Sequence, residues 1–331
     1  CFFVVGGVLA GILTRRAGIK LTVIIGGILT FLGFFFASRM SGASPTALYL
    51  SYGVLTGTGV GMAYNAVISG TMSWFPDIAG TCSGALMMGF GASTLLLGTL
   101  ASSLIQSIGW RNTYLVLAVA IGAILVVTGF IVKIAPADVN LPKPKAKAKK
   151  GEDFVARDYS AGEMAKRSSF WRFYLYCILT ASIGNTVISM ARDISISVGA
   201  TVVLATTLVG VLSVCNGLGR VFSGALFDAL GRRNTMIIAN IITILAPAVT
   251  LGAVFTNSIP LCIIGLCLCG LSYGCAPTIV SATIRSFYGS KNFSLNFSIA
   301  NSFLIPTSFV ATLAGSFVTK TGSFTSTFIM L

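Results

Sequence analysis

Long apolar runs separated by short polar segments dominate this sequence. Nine runs are complete, at 21–38, 46–72, 79–105, 113–132, 170–190, 200–227, 234–256, 259–284 and 293–318. Two more, at 1–13 and 322–331, meet the ends of the sequence. An α-helix of about 20 apolar residues crosses a hydrocarbon layer roughly 30 Å thick, so each complete run predicts a transmembrane helix. Because the runs are continuous rather than alternating, they argue against a transmembrane β-barrel.

The composition agrees with a polytopic membrane protein of the all-α class. Hydrophobic residues make up 55 % of the chain and charged residues 9 %, with a mean hydropathy of +0.92. Soluble domains carry roughly a quarter charged residues. The eight cysteines lie in apolar runs and the chain has no histidine, so we predict neither disulfides nor a metal or cofactor. A plausible nucleophile–base pair is also missing, which disfavours an enzyme.

The net charge of +14 is divided unequally between the two ends of the predicted helices. When the connecting segments are assigned alternately to the two sides, one side holds seventeen Lys and Arg residues and the other holds four. Cytoplasmic segments of membrane proteins carry such an excess, so the richer side is predicted to be cytoplasmic. The excess of basic residues therefore indicates contact with the lipid bilayer and not with nucleic acid.

Arg220 interrupts the run at 200–227, and no other Lys, Arg, Asp or Glu lies as deep in a run. It precedes Asp228 by eight residues, which corresponds to about 12 Å of helix rise. A cation at that depth costs on the order of 3 kcal/mol or more, so it normally faces a polar cavity and has a partner or ligand. We predict a membrane transporter that handles anions. The alternative is that Arg220 only joins helices through backbone carbonyls.

The chain contains an internal repeat with an offset of 212–213 residues. The motif Gly11-x-Leu13-x-Arg15-x-x-Gly18 recurs as Gly224-x-Leu226-x-Asp228-x-x-Gly231-Arg232-Arg233. Both copies fall on the predicted cytoplasmic side, so the halves have the same orientation, as in two six-helix bundles related by an axis along the membrane normal. We predict an N-terminal bundle at 1–134, a linker at 135–167 and a C-terminal bundle at 168–331. The repeat assigns the chain to spans 2 to 12 of twelve, with the last incomplete.

The predicted linker differs in composition from the rest of the chain. Prolines and lysines between 136 and 150 predict an extended, self-repelling tether. The segment 159–172 predicts a short helix at the bilayer surface, with Tyr159 and Met164 facing inward and Lys166 and Arg167 facing outward.

The segment 224–233 resembles the cytoplasmic loop motif of the major facilitator superfamily, between its eighth and ninth spans. Within that superfamily the chain is similar to the oxalate:formate antiporter and monocarboxylate porter group, through the segments 52–64, 74–77, 109–113 and 288–292. The resemblance implies a transporter that works by alternating access. It assigns a cytoplasmic gate to the loop residues, which are Gly224, Asp228, Gly231, Arg232 and Arg233, with Arg15 and Gly18 in the first copy. Arg15 stands where the superfamily usually has Asp.

The resemblance also implies a substrate site. It places Arg220 on the eighth span, where this group holds the substrate carboxylate, and Asn216 lies one helical turn earlier on the same face. Further candidates to line the cavity are Phe3, Tyr64, Asn65, Phe90, Tyr273 and Asn301. The alternative for the aromatic residues is ordinary packing or anchoring at the membrane interface.

Two departures from the group narrow the expected substrate. Its dicarboxylate antiporter has a lysine on the eleventh span, and the matching place here is Leu304, or Phe303 with one gap. We therefore expect a small monoanion such as formate, lactate or pyruvate, with oxalate/formate exchange as a further possibility. Asn216 stands where proton-coupled carriers have an acid, which favours exchange or facilitated diffusion.

Two other functions compete with anion transport. One is a proton-coupled exporter of drugs or other solutes from the same superfamily, and the other is an anion sensor that does not transport. In every case we expect a monomeric, multi-pass protein of the cell membrane, most simply a bacterial plasma membrane.

Overall fold

The computed structural model describes residues 1–40, 45–136, 138–142 and 157–321. Every regular element within these residues is helical. The elements are α1 (Phe2–Ser38), α2 (Pro45–Leu48), a π-helical segment (Tyr49–Thr56), α3 (Gly57–Trp74), α4 (Ala79–Ile131), α5 (Ala161–Ala165), α6 (Ser168–Ser197), α7 (Val202–Thr256), α8 (Ile259–Tyr288), α9 (Phe293–Asn301) and α10 (Leu304–Thr321). The nine complete apolar runs coincide with helices, whereas the run at 322–331 lies outside the described residues. The all-α membrane class is confirmed.

The three longest helices, α1, α4 and α7, are each divided by one glycine. The dividing residues are Gly18 in α1, Gly109 in α4 and Gly231 in α7, with φ of 83°, 77° and 77°. Their ψ angles of 165°, 161° and 172° complete a backbone conformation that essentially only glycine adopts. Gly18 and Gly231 are 213 residues apart, so the sequence repeat is also a repeat of local structure.

A proline divides the last predicted span. Pro306 has no N–H to donate to the Ser302 carbonyl, and its ring crowds the preceding turn. Helix α9 ends at Asn301 and α10 begins at Leu304. The apolar run at 293–318 is therefore divided into two helices.

The described helices belong to two compact units. Unit 1 comprises Cys1–Asp77, Leu97–Lys166 and Ile284–Ser302, and unit 2 comprises Ile78–Leu96, Arg167–Thr283 and Phe303–Leu331. Each unit therefore includes one segment from the other sequence-predicted bundle: 284–302 in unit 1 and 78–96 in unit 2. The bundle boundaries at 134 and 168 remain a prediction.

Within unit 1, helix α1 packs closely on α3 through glycines. A Cβ added at Gly26 would lie 2.8 Å from the Gly59 carbonyl oxygen, and one added at Gly59 would lie 2.5 Å from Thr30 Oγ1. Small residues allow helix backbones to approach in this way, so that backbone packing replaces side-chain interdigitation.

Unit 2 contains a larger apolar core, formed by α6, α7, α8 and α10. Val187 and Ile194 on α6 are buried with Leu208 and Leu212 on α7 and Leu266 on α8. This core holds the α7 helix that carries Arg220, and the candidate site is built on it.

Candidate substrate site

Arg220 is buried in α7, with 6 % of its surface exposed. Its Nη1 donates to the Met87 carbonyl oxygen at 3.2 Å, and its Nε donates to Asn216 Oδ1 at 3.3 Å. The guanidinium carbon lies 5.4 Å from the centroid of the Phe90 ring, within cation–π range. None of these three groups carries a charge. Two helices thus hold the guanidinium through a carbonyl, an amide and an aromatic face.

Glycines on α4 bring that helix against Arg220. A Cβ added at Gly84 would collide with the Arg220 carbonyl oxygen, and one at Gly91 would lie 2.6 Å from the Ser213 carbonyl oxygen. Because Met87 lies between these two glycines, its carbonyl comes within reach of the guanidinium. The spacing of the α4 glycines in the sequence indicates that another helix approaches closely, but it does not indicate that this helix is α7.

Helix α8 meets the same stretch of α7 on another side. A Cβ added at Gly274 would collide with the Asn216 carbonyl oxygen and lie 3.1 Å from the Arg220 amide nitrogen. The neighbouring Tyr273 is half-buried, and its Cβ would lie 2.6 Å from a Cβ added at Gly184 on α6. The structure therefore places Arg220, Asn216, Phe90 and Tyr273 on adjoining segments of unit 2.

The other predicted cavity residues belong to unit 1. The Phe3 and Tyr64 ring centroids are 5.1 Å apart, and Tyr64 also stacks on Phe297 at 6.2 Å. Asn301 is buried, and its Oδ1 has no hydrogen-bond partner. Phe3, Tyr64 and Asn301 stay predictions as substrate ligands.

Asn65 is held in a hydrogen-bond network. Its Nδ2 donates to the Ser294 carbonyl oxygen at 2.9 Å and to Ser298 Oγ, and its Oδ1 accepts from Ser294 Oγ at 2.7 Å. The side chain is 2 % exposed. These bonds give Asn65 a structural role that joins α3 to α9, and its role as a substrate ligand is still a prediction.

Asp228, in the second copy of the loop motif, holds the first turn of α4. Its carboxylate accepts from the Gly80 amide at 3.0 Å, the Thr81 amide at 2.6 Å and Thr81 Oγ1 at 2.7 Å. A carboxylate is favourable at this position because the first amides of a helix point outward and carry partial positive charge. Gly224 lies so close to Gly80 that any side chain there would collide with the Gly80 carbonyl. The sequence identified Asp228 but not its partner.

Arg15, in the first copy, contacts the start of α9. Its Nη2 donates to Oδ1 of Asn292, which is the N-cap residue of that helix. A Cβ added at Gly11 would lie 2.8 Å from Leu295 Cα, so this copy also approaches its partner closely. Arg232 and Arg233 are exposed and directly follow the break at Gly231.

The sequence profile of the Major Facilitator Superfamily matches residues 1–198 and 175–331, which together cover the chain. The chain belongs to the Major Facilitator Superfamily. This membership makes it a multi-pass membrane transporter of a small molecule and not an enzyme. The superfamily resemblance read from the loop motif is confirmed.

Individual relatives agree with this family. The chain is 27 % identical to the uncharacterized MFS-type transporter YhjX of Escherichia coli (strain K12), over 88 % of this chain and 69 % of that protein. It is 25 % identical to the oxalate:formate antiporter of Oxalobacter formigenes, over 86 % of this chain and 66 % of that protein. It is 24 % identical to monocarboxylate transporter 12 of Rattus norvegicus, over 98 % of this chain and 70 % of that protein. The chain spans about two thirds of the length of these relatives.

A solved structure supports the fold. The E. coli fucose:proton symporter FucP aligns with 99 % of this chain and 84 % of its own, with a TM-score of 0.69 and 17 % identity. At that identity the likeness shows the major facilitator fold alone.

Proposed function

We propose that this member of the superfamily transports small organic monoanions, such as formate, lactate or pyruvate, by alternating access, and that Arg220 holds the substrate carboxylate. The observation that carries the proposal is a guanidinium buried in α7 and oriented by a backbone carbonyl, a side-chain amide and an aromatic ring. A buried cation in a membrane helix is costly, and binding an anion offsets that cost.

The contacts of Arg220 suit carboxylate recognition. A planar guanidinium can form two parallel, charge-assisted hydrogen bonds to one carboxylate. The bonds to Met87 and Asn216 fix the plane of the group, because they come from two different helices. A donor that is already oriented loses less entropy when the substrate binds. The names of two relatives, an oxalate:formate antiporter and a monocarboxylate transporter, agree with a carboxylate substrate.

The preference for one negative charge rests on the eleventh span. Between Phe293 and Thr319 the chain carries no Lys or Arg, and Leu304 begins helix α10 next to the buried Phe303. A dianion such as oxalate would meet a single buried cation on these spans, and its second carboxylate would lose hydration without a counter-charge. A monoanion is neutralised by Arg220 alone.

Counterflow in proteoliposomes tests the role of Arg220, with labelled formate, lactate, pyruvate and oxalate. We expect Arg220→Gln to lower flux at least about a hundredfold, since losing a charge-assisted pair to a buried carboxylate costs roughly 3 kcal/mol or more. Arg220→Lys keeps the charge but not the planar fork, so it should retain partial flux. Arg192→Gln removes an exposed arginine of α6 and serves as the matched control. Flux at the wild-type level in Arg220→Gln would refute the assignment, and anion binding without flux in the wild type would indicate a sensor.

The charge preference is tested separately with Leu304→Lys. A second cation on the eleventh span should shift the ratio of oxalate to formate uptake toward oxalate by about tenfold. Leu304→Met is the uncharged control. Oxalate as the best substrate of the wild-type protein would contradict the monoanion preference while leaving the role of Arg220 intact.

The proposal also includes the membrane, the oligomeric state and the coupling of transport. We expect a monomer in a bacterial plasma membrane that exchanges anions or lets them diffuse, without proton coupling.

A further inference from the structure

An apolar cavity lies in unit 1, where the end of α1, the start of α2 and the middle of α4 meet. Its volume is about 460 Å³, which is in the range of small-molecule sites. None of its described lining residues is charged, and none is proposed to bind the substrate. The residues that line it include Ala37, Met40, Leu48, Ile105, Trp110 and Tyr114.

One wall of the cavity belongs to a cluster of aromatic rings. The Tyr114 ring centroid lies 5.7 Å from that of Phe34, 6.0 Å from that of Tyr52 and 6.1 Å from that of Trp110. Phe34 is buried and meets Tyr52 edge-on at 5.3 Å. Aromatic pairs at such distances stabilise one another. The wall is therefore fixed by packing within unit 1.

Two arginines lie beside this apolar space. Arg39 directly precedes the lining residue Met40, and its guanidinium carbon is 5.3 Å from the centroid of the Phe35 ring. The guanidinium carbon of Arg111 is 5.2 Å from the centroid of the Trp110 ring, which itself lines the cavity. Both arginines are exposed. The site thus combines an apolar interior with two guanidiniums at its edge.

The acidic residues of unit 1 belong to the opposite face of the membrane. Between Gly18 and its C-terminal end, α1 rises about 30 Å, which is the thickness of a hydrocarbon layer. The residues that follow the undescribed stretch 143–156 lie at the Gly18 end, because Asn292 accepts from Arg15 and donates to the Tyr159 carbonyl. The described part of unit 1 is therefore positive at the face that carries the two arginines. Its described acids, all at the other face, are Asp77, Asp138, Asp158 and Glu163.

We infer that this cavity binds an anionic phospholipid, with an acyl chain in the apolar space and the phosphate at Arg39 and Arg111. An acyl chain gains dispersion contacts with the lining side chains that an empty space would forfeit. A guanidinium donates to phosphate oxygens in a bidentate arrangement, and Trp and Tyr are typical of the level at which headgroups lie. In a zwitterionic lipid the ammonium group offsets the charge of the phosphate, so an anionic lipid suits two cations better.

Quenching of Trp110 fluorescence tests the headgroup. Trp74→Phe and Trp171→Phe leave Trp110 as the single tryptophan of the full chain. The protein is reconstituted in equal parts of phosphatidylglycerol and phosphatidylcholine, and one of the two lipids at a time carries a brominated acyl chain that quenches a nearby indole.

Brominated phosphatidylglycerol should quench more, with a preference of about fivefold over phosphatidylcholine. Arg39→Gln and Arg111→Gln should each bring the two lipids closer to equal quenching. Arg192→Gln is the matched control, because Arg192 is exposed and is assigned to the same side of the membrane but belongs to unit 2. Equal quenching by the two lipids with both arginines in place would overturn the proposal.

Native mass spectrometry of the chain with all its tryptophans tests the acyl chain. Leu48→Trp places a larger side chain in the cavity and should lower retention of phosphatidylglycerol by about fivefold. Leu50→Trp is the matched control, since Leu50 is also exposed but does not line the cavity. Retention by Leu48→Trp equal to that by Leu50→Trp would overturn the proposal. Neither measurement depends on flux, so both are independent of the role of Arg220.

Discussion

The segments 11–18 and 224–231 are two copies of one motif. They share both terminal glycines and the leucine, and their fifth residue is Arg15 in the first copy and Asp228 in the second. In both, the leading glycine lies against the beginning of another helix: Gly11 against Leu295 of α9, and Gly224 against Gly80 of α4. In both, the final glycine adopts the same positive-φ conformation and ends one span. The backbone of the motif is therefore conserved within the chain, while its electrostatics are reversed.

This reversal separates two tasks that the motif performs. Close approach of helices depends on the glycines and survives in both copies. Neutralising the partial positive charge at a helix start depends on the acid, and only Asp228 provides it. At the start of α9 an asparagine stands between the arginine and the helix, since Asn292 accepts from Arg15 and donates to the Tyr159 carbonyl at 2.8 Å. Sequence similarity in the motif thus does not imply equal stability of the two contacts.

The largest expected effect comes from giving the second copy the charge of the first. Asp228→Arg removes three hydrogen bonds to the first turn of α4 and places a cation there, so it should lower the free energy of unfolding by about 3 kcal/mol. Asp228→Asn retains the size and one acceptor and should cost about 1 kcal/mol. Equilibrium unfolding in mixed micelles measures both. If Asp228→Arg were as stable as the wild type, the two copies would not differ energetically.

A smaller effect is expected from the glycines that the copies share. Gly11→Ala and Gly224→Ala each insert a Cβ against another backbone, and the strain of overpacking should destabilise each variant by about 2 kcal/mol. Similar losses in the two variants would show that close approach matters equally in both copies.

Gly89→Ala serves as the control for this pair. Gly89 lies in α4, yet a Cβ added there meets nothing within 4 Å. The substitution should be neutral or should stabilise the helix by up to about 1 kcal/mol through helix propensity. A loss as large as that of Gly224→Ala would point to a general sensitivity of the helices instead of a local clash.

Much of this fold could be predicted from the sequence, because a bilayer imposes simple rules. Helix positions followed from the lengths of the apolar runs, and the breaks at Gly18 and Gly231 fell in the repeated motif that also carried the superfamily resemblance. Which helices pack against each other could not be predicted from the sequence. That α4 packs on α7 depends on backbone contacts at Gly84 and Gly91, and a glycine shows only that something approaches closely, not which helix does so.

The candidate site was predictable to a similar degree. The depth of Arg220 in an apolar run singled it out, and helical spacing paired it with Asn216, to which it donates. The Met87 carbonyl could not have been predicted, because a backbone acceptor has no signature in the sequence. A cavity lined by Arg15 and Arg285 could not be predicted for a different reason. These residues are 270 positions apart in the sequence, and only the folded chain brings them together.

Giving the first copy the charge of the second should have the smallest effect, and it should raise the free energy of unfolding instead of lowering it. Arg15→Asp places a carboxylate near Arg285 and Lys291 and beside the start of α9, where it replaces an unfavourable charge with a favourable one. Screening by water limits the gain, since Arg15 is exposed, so we expect about 1 kcal/mol of added stability at low salt and less at high salt. A variant that is no more stable than the wild type at low salt would mean that the charge of the fifth residue does not distinguish the two copies of the motif.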